Sequence, residues 1–179
     1  MSKKLLILGL LRSQDMHGYQ LHEMIENELS ICVDITKPTS YYLLKKMEED
    51  GWITATEEQA GNRPPRSIYH ISDKGEQIFY ELLRENLSSY SPNTFQGDIG
   101  LAFSDNLPPA ETLALLTERR EIMQQRLALI KQTPQHPTTY QWMIEHQSRH
   151  LETELEWLDE VIQQISKIKK EGKQINGFK

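Results

Sequence analysis

Three things are scarce in this sequence: it has a single cysteine, no apolar run that could span a bilayer, and no surplus of positive charge, with 20 Lys and Arg against 26 Asp and Glu. One cysteine closes no internal disulfide, which fits a reducing compartment. Cys32 reads as a small buried hydrophobe, since a redox switch needs a second thiol. The run Leu5 to Leu11, behind Lys3 and Lys4, is broken by Gly9 and ends at Arg12 without a small-residue cleavage site. It is therefore read as neither a leader nor a membrane span, and the expected location is the cytoplasm. A net charge of −6 argues against indiscriminate attraction to a polyanion, so any contact with nucleic acid must come from a local patch. A glycine-rich phosphate loop, a serine elbow and a paired-carboxylate arrangement are also missing, which leaves an enzyme without a positive signal and no cofactor to expect. His146 and His150 have the four-residue spacing of a metal-binding pair, with Glu145 beside them. Without a third and fourth ligand at defined spacing they make a weak site, and no metal is expected.

What is present is helical punctuation. The 179 residues suffice for a small module with an extension. Lys3 to Arg12 is apolar nearly all round, as a buried first helix is. After the break at residues 13–18, Tyr19, Leu21, Met24, Ile25 and Leu29 give one apolar face of a second helix. Val33 to Thr36 alternates like a short strand. A third helix is expected from about Pro38 to Asp50, stopped by Gly51 in a left-handed cap. Trp52 to Glu58 and Ser67 to Ile71 are rich in β-formers and flank a loop holding Gly61 and Pro64-Pro65, which makes a hairpin with Trp52 as a core residue at its start. Ser72 caps a further helix that reaches about Leu87.

The polar stretch 88–98 is the expected boundary between residues 1–87 and 88–179. Beyond it, Pro108-Pro109 open a helix with Leu113, Leu116, Met123, Leu127 and Ile130 on its apolar side, and residues 133–137 turn the chain. The last helix, Thr138 to Lys170, would be roughly 50 Å long. Its stripe Tyr140, Ile144, Leu151, Leu155, Leu158, Ile162 and Ile165 is near-heptad and is expected to lean on something outside its own domain.

Three motifs carry a likeness. Met16-His17-Gly18-Tyr19-Gln20-Leu21 resembles an HGYxL motif in which the glycine permits a tight start to the second helix and the tyrosine packs into the core. Residues 39–53, TSYYLLKKMEEDGWI, resemble the pattern T-x-Y-x-x-L-x-x-L-E-x-x-G-L-I of a recognition helix and the strand after it. Residues 61–75, GNRPPRSIYHISDKG, resemble a wing of the form G-x-P-x-R-x-x-Y-x-I/L-T-x-x-G. By these motifs the chain resembles the PadR family of transcriptional regulators. Two departures, Pro38 where the family often has glycine and Tyr42 where it often has proline, mean that no operator sequence follows from the likeness.

The resemblance implies a mainly α fold with a small β-hairpin wing: an N-terminal winged helix-turn-helix DNA-binding domain, and a C-terminal dimerisation arm of long helices. It implies a sequence-specific regulator, a repressor released by a small molecule. On the third helix Thr39, Ser40, Tyr42 and Lys45 should face the major groove once Leu44 and Met47 turn inward, with Lys46 and the Tyr41 hydroxyl on phosphates. Periodicity alone reads Tyr41 as core, and the lysines read equally well as a solvated face. Arg63 and Arg66 would lie along the adjacent backbone or minor groove. A long helix with a broad apolar stripe most simply buries it against a twin, giving a homodimer on a palindromic operator. Tyr140, Trp142 and Trp157 could line a pocket for an aromatic effector between arm and winged helix, although such aromatics are also ordinary interface core. The competing function is a winged helix used as a protein-interaction module, which would have no need of basic residues on its third helix and wing.

Overall fold

The computed structural model describes residues 2–29, 33, 35–59, 66–92, 94–135 and 138–175, without the side chains of residues 28 and 96. The chain divides into two compact units, Met1–Ser91 and Pro92–Lys179. Arg63 and the two prolines of the expected wing, and Cys32, lie outside the described residues.

The first unit is built around one apolar cluster. Helix α1 (Ser2–Ser13) contributes Ile7, Leu8 and Leu11, and α2 (Gly18–Met24) with the π-helical turn Ile25–Leu29 contributes Leu21 and Ile25. Helix α3 (Lys37–Glu49) contributes Leu44 and Met47, both fully buried. Pro38 sits in the first turn of α3, where no intrahelical donor is needed. Gly51 ends the helix region at φ +73°, a conformation that costs a side-chain-bearing residue energy. Strands β2 (Ile53–Glu58) and β3 (Arg66–Ile71) pair antiparallel, from Ile53 opposite Ile71 to Glu58 opposite Arg66. Helix α4 (Asp73–Ser88) follows. Its cap is made by Ser72, whose Oγ accepts from the Gly75 N–H at 3.0 Å. Trp52 packs on the edge of the core with the Lys4 ammonium 4.4 Å from its ring centre.

Two sequence expectations change here. No strand forms at Val33, Ile35 and Thr36; Ile35 is instead 6% exposed, an anchor in the core ahead of α3. The third strand of the sheet is β1 (Met16–His17), in what reads as a break, paired with Tyr69 and Ile68 of β3. Two residues are too few to show a period. What holds them is the burial of the Met16 side chain and a contact between the Asp15 carboxylate and His70 Nδ1 at 2.9 Å.

In the second unit α5 (Gln96–Ala102) and a 3-10 turn at Ser104–Asn106 precede a helical hairpin of α6 (Pro109–Gln132) and α7 (Tyr140–Lys170). Each arm of the hairpin buries a residue every seventh position: Leu116, Met123 and Ile130 on α6, and Ile144, Leu151, Leu158 and Ile165 on α7. Arg119 with Glu154 (2.6 Å), Arg120 with Asp159, and Lys131 with Glu152 (2.7 Å) tie the two helices side to side. The apolar stripe of the last helix is thus covered by α6 of its own chain, where the sequence alone points to an outside partner. A different stripe stays open: Leu115, Ile122 and Leu129, again seven apart on α6, are 50%, 61% and 65% exposed.

Candidate nucleic-acid interface

Helix α3 buries Ser40, Leu43, Leu44 and Met47 on one side, so the opposite side must face solvent. Tyr42 is 66% exposed, and Lys45, one turn on, is exposed beside it. Thr39 is half-buried at the start of the helix, its hydroxyl 2.9 Å from that of Thr36.

Ser40 departs from the expectation: it is fully buried and its hydroxyl donates to the Lys37 carbonyl at 2.9 Å, which removes it from the exposed face. Its place four and seven residues before Leu44 and Met47 puts it on their side of the helix. Lys46 is turned toward the acidic end of α3, with Nζ 3.3 Å from Asp50 and 3.7 Å from Glu49. The Asp50 carboxylate, by hydrogen bond and by charge, and then Glu49, hold this lysine above its usual range. These pairs are partly exposed, so a phosphate could compete for the ammonium at small cost.

Tyr41, 39% exposed, leans off the edge of the helix into a cleft of about 420 Å³ lined by His17, Gly18, Tyr19, Arg66, Ser67 and Tyr69. Gly18 makes room for it: a Cβ there would lie 3.0 Å from the Tyr41 ring. Tyr19 is 37% exposed and does not pack into the core as its motif implies. It forms the middle of a column instead, stacked on His17 (centroids 5.4 Å apart) and carrying the Arg66 guanidinium 5.3 Å from its own ring centre. His17 is fixed in turn, with Nε2 3.3 Å from Glu58 and Nδ1 3.3 Å from the Ser67 carbonyl. Burial, and then the charge of Glu48, push the Tyr69 phenol above its ordinary value, so it stays a neutral hydroxyl at the cleft wall. The structure therefore brings Tyr41 and Arg66 to one cleft, with Lys45 one helical turn from Tyr41. Tyr19 and His17 are not among the site residues that the sequence suggests. Their signal is the His-Gly-Tyr triplet itself, which in sequence reads as purely structural.

On the second unit, Trp157 is 40% exposed and lines a pocket of about 290 Å³ with Phe95, Asp98, His150, Thr153 and Glu154. Tyr140 and Trp142 do not line it; Trp142 is 71% exposed on the first turn of α7. His150 stands with its ring centroid 5.7 Å from that of Phe95. Among the described residues no group of three or more His, Cys, Asp or Glu is placed to hold a metal ion, and no helix is long and apolar enough to cross a membrane.

Residues 7–81 match the family model of the transcriptional regulator PadR-like family, and residues 100–166 match that of the virulence activator alpha C-terminal region. A probable transcriptional regulator of Mycobacterium tuberculosis is 26% identical over 89% of this chain and 95% of its own length. The negative transcriptional regulator PadR of Bacillus subtilis is 30% identical over 80 residues, 45% of this chain and 44% of that protein. The Bacillus subtilis PadR structure in complex with operator DNA superposes with a TM-score of 0.78 at 19% identity, over 92% of this chain and 99% of that one. The structure of the same protein with p-coumaric acid gives a TM-score of 0.72, over 91% and 98% of the two chains at 19% identity.

Proposed function

We propose that this chain, whose residues 7–81 match the family model of the PadR-like transcriptional regulators, works in the cytoplasm as a dimeric repressor that reads a palindromic operator with α3 and the wing and is released by a small molecule. The single observation that carries the DNA reading is the meeting of Tyr41 and Arg66 in one cleft beside the exposed Tyr42–Lys45 face, on a chain of net charge −6. Thr39, Tyr42 and Lys45 face base edges in the major groove; Arg66, Tyr41 and Lys46 hold phosphates, Lys46 by exchanging its acidic partners for DNA. Residues 1–87 are then the DNA-binding domain and residues 88–179 the dimerisation domain. Support for the dimer comes from the open seven-residue stripe of α6, since the stripe of α7 is occupied within the chain. Two such domains would present their recognition helices to major grooves roughly 34–36 Å apart. A small-molecule release step is supported by the complexes known for the Bacillus subtilis protein, one with operator DNA and one with p-coumaric acid.

Selection of bound sequences from a random duplex pool should return an imperfect palindrome. On that operator, Lys45→Ala and Arg66→Ala should each flatten the dependence of log affinity on log salt, by roughly 0.9 for every phosphate left without its cation. An unchanged slope in both variants would favour the protein-interaction module instead. Tyr19 supplies a sharper test, since it touches Arg66 through its ring face and not its hydroxyl. Tyr19→Leu should weaken operator binding about as much as Arg66→Ala, and Tyr19→Phe should restore most of the affinity. In the double variant Tyr19→Leu with Arg66→Ala the two effects should not add. Full additivity in binding assays would show that Tyr19 does not position the guanidinium.

A further inference from the structure

We propose that the pocket on the second unit takes a small aromatic cation and discriminates against aromatic carboxylates. Its walls are flat and apolar: Phe95 at the start of α5 and Trp157 on α7, with His150 against Phe95. Such walls select a ring. At about 290 Å³ the space stands at the small end of ligand pockets, enough for a molecule of one or two rings.

Charge decides what the ring carries. Two carboxylates line the pocket, Asp98 and Glu154. Glu154 is neutralised by Arg119 at 2.6 Å, and this arginine is not itself a lining residue: its guanidinium lies against Gly97, where a Cβ would come within 2.3 Å of Nη1. Among the described residues Asp98 makes no ion pair. The pocket thus holds one uncompensated negative charge next to a tryptophan face, the aromatic surface that attracts cations most strongly. A bound carboxylate would face the like charge of Asp98 at short range. Bacillus subtilis PadR has been solved with p-coumaric acid, which is an aromatic carboxylic acid. The pocket of this chain calls for the opposite sign of charge. That such a ligand would also release DNA rests on the regulatory reading above; its binding does not.

Calorimetric titration of the full-length protein with phenyltrimethylammonium and with p-coumarate tests the proposal. The cation should bind at least about tenfold more tightly than the carboxylate. Asp98→Asn should weaken the cation several-fold and narrow the gap between the two. Trp157→Leu should cost about tenfold and Trp157→Phe less. Asp98 is exposed, so its variant keeps the test decisive even if Trp157→Leu unfolds the hairpin. Tighter binding of p-coumarate, no binding of the cation, or a cation affinity indifferent to both Asp98→Asn and Trp157→Leu would each overturn the proposal. A parallel operator-release assay separates the two readings. Binding through these residues without release keeps the pocket and removes its regulatory role, whereas release by a ligand indifferent to Asp98 and Trp157 keeps the regulator and removes the pocket.

Discussion

Replacing Gly75 by alanine should cost the first unit about 3 kcal/mol or more, a large share of the roughly 5–15 kcal/mol that holds a domain together. A Cβ at this buried position would stand 2.0 Å from the Trp52 carbonyl oxygen and 2.9 Å from Ile71 Cγ1. Neither neighbour has room to give. The Trp52 carbonyl accepts from the Ser72 N–H and the Ser72 hydroxyl, both at 3.0 Å, and Ser72 in turn caps α4 through the Gly75 N–H. One methyl group would therefore push apart the end of α3, the wing and the start of α4 together. Hydrogen exchange should show α4 and the wing strands losing protection in Gly75→Ala while the α6–α7 hairpin keeps its own. A melting temperature within about 2 °C of the parent protein, with unchanged exchange in α4, would contradict this account.

The second large effect is expected from Ile122→Glu. Ile122 is the middle member of the open stripe on α6 and is 61% exposed, so a glutamate there should change the stability of the isolated chain little. In a dimer closed over Leu115, Ile122 and Leu129, the same change buries two carboxylates in an apolar seam. Sedimentation should then show a monomer at micromolar concentration. Operator affinity should fall by about a hundredfold or more, because the second half-site loses the advantage of being tethered to the first. An intact dimer in Ile122→Glu would place the seam elsewhere.

Where the sequence and the fold agree, a residue has one physical reason to be where it is. Gly51 takes a positive φ, Ser72 accepts from a helix N–H, and Leu44 and Met47 lie three apart on one face. Each depends on local chemistry alone. Ser40 shows how a chemical bias overrides a geometric one. Its hydroxyl looks like a base contact, yet its spacing from Leu44 and Met47 already assigns it to the buried side, and the Lys37 carbonyl satisfies it there. Tyr19 reads as core because it falls on the apolar face of the second helix and its motif implies inward packing. Nothing local reveals the guanidinium that β3 brings over its ring from Arg66, 47 positions further along the chain. Strand β1 is hidden because two residues carry no alternation. The stripe of α7 is visible, but its owner is not: a periodic apolar face says that something covers it and is silent on whether that cover comes from the same chain. The seven-residue spacing of Leu116, Met123 and Ile130 on α6 holds that answer, and the parallel series Leu115, Ile122 and Leu129 disappears when α6 is read as having one apolar side.

The α6–α7 hairpin has a consequence for how the molecule comes into being. Since each chain supplies both halves of that antiparallel coil and latches them with Arg119, Arg120 and Lys131, the second unit closes its own apolar seam without a sister polypeptide. In the dimer proposed above, pairing is then a meeting of already folded bodies, and the share of chains that are paired follows the protein's concentration.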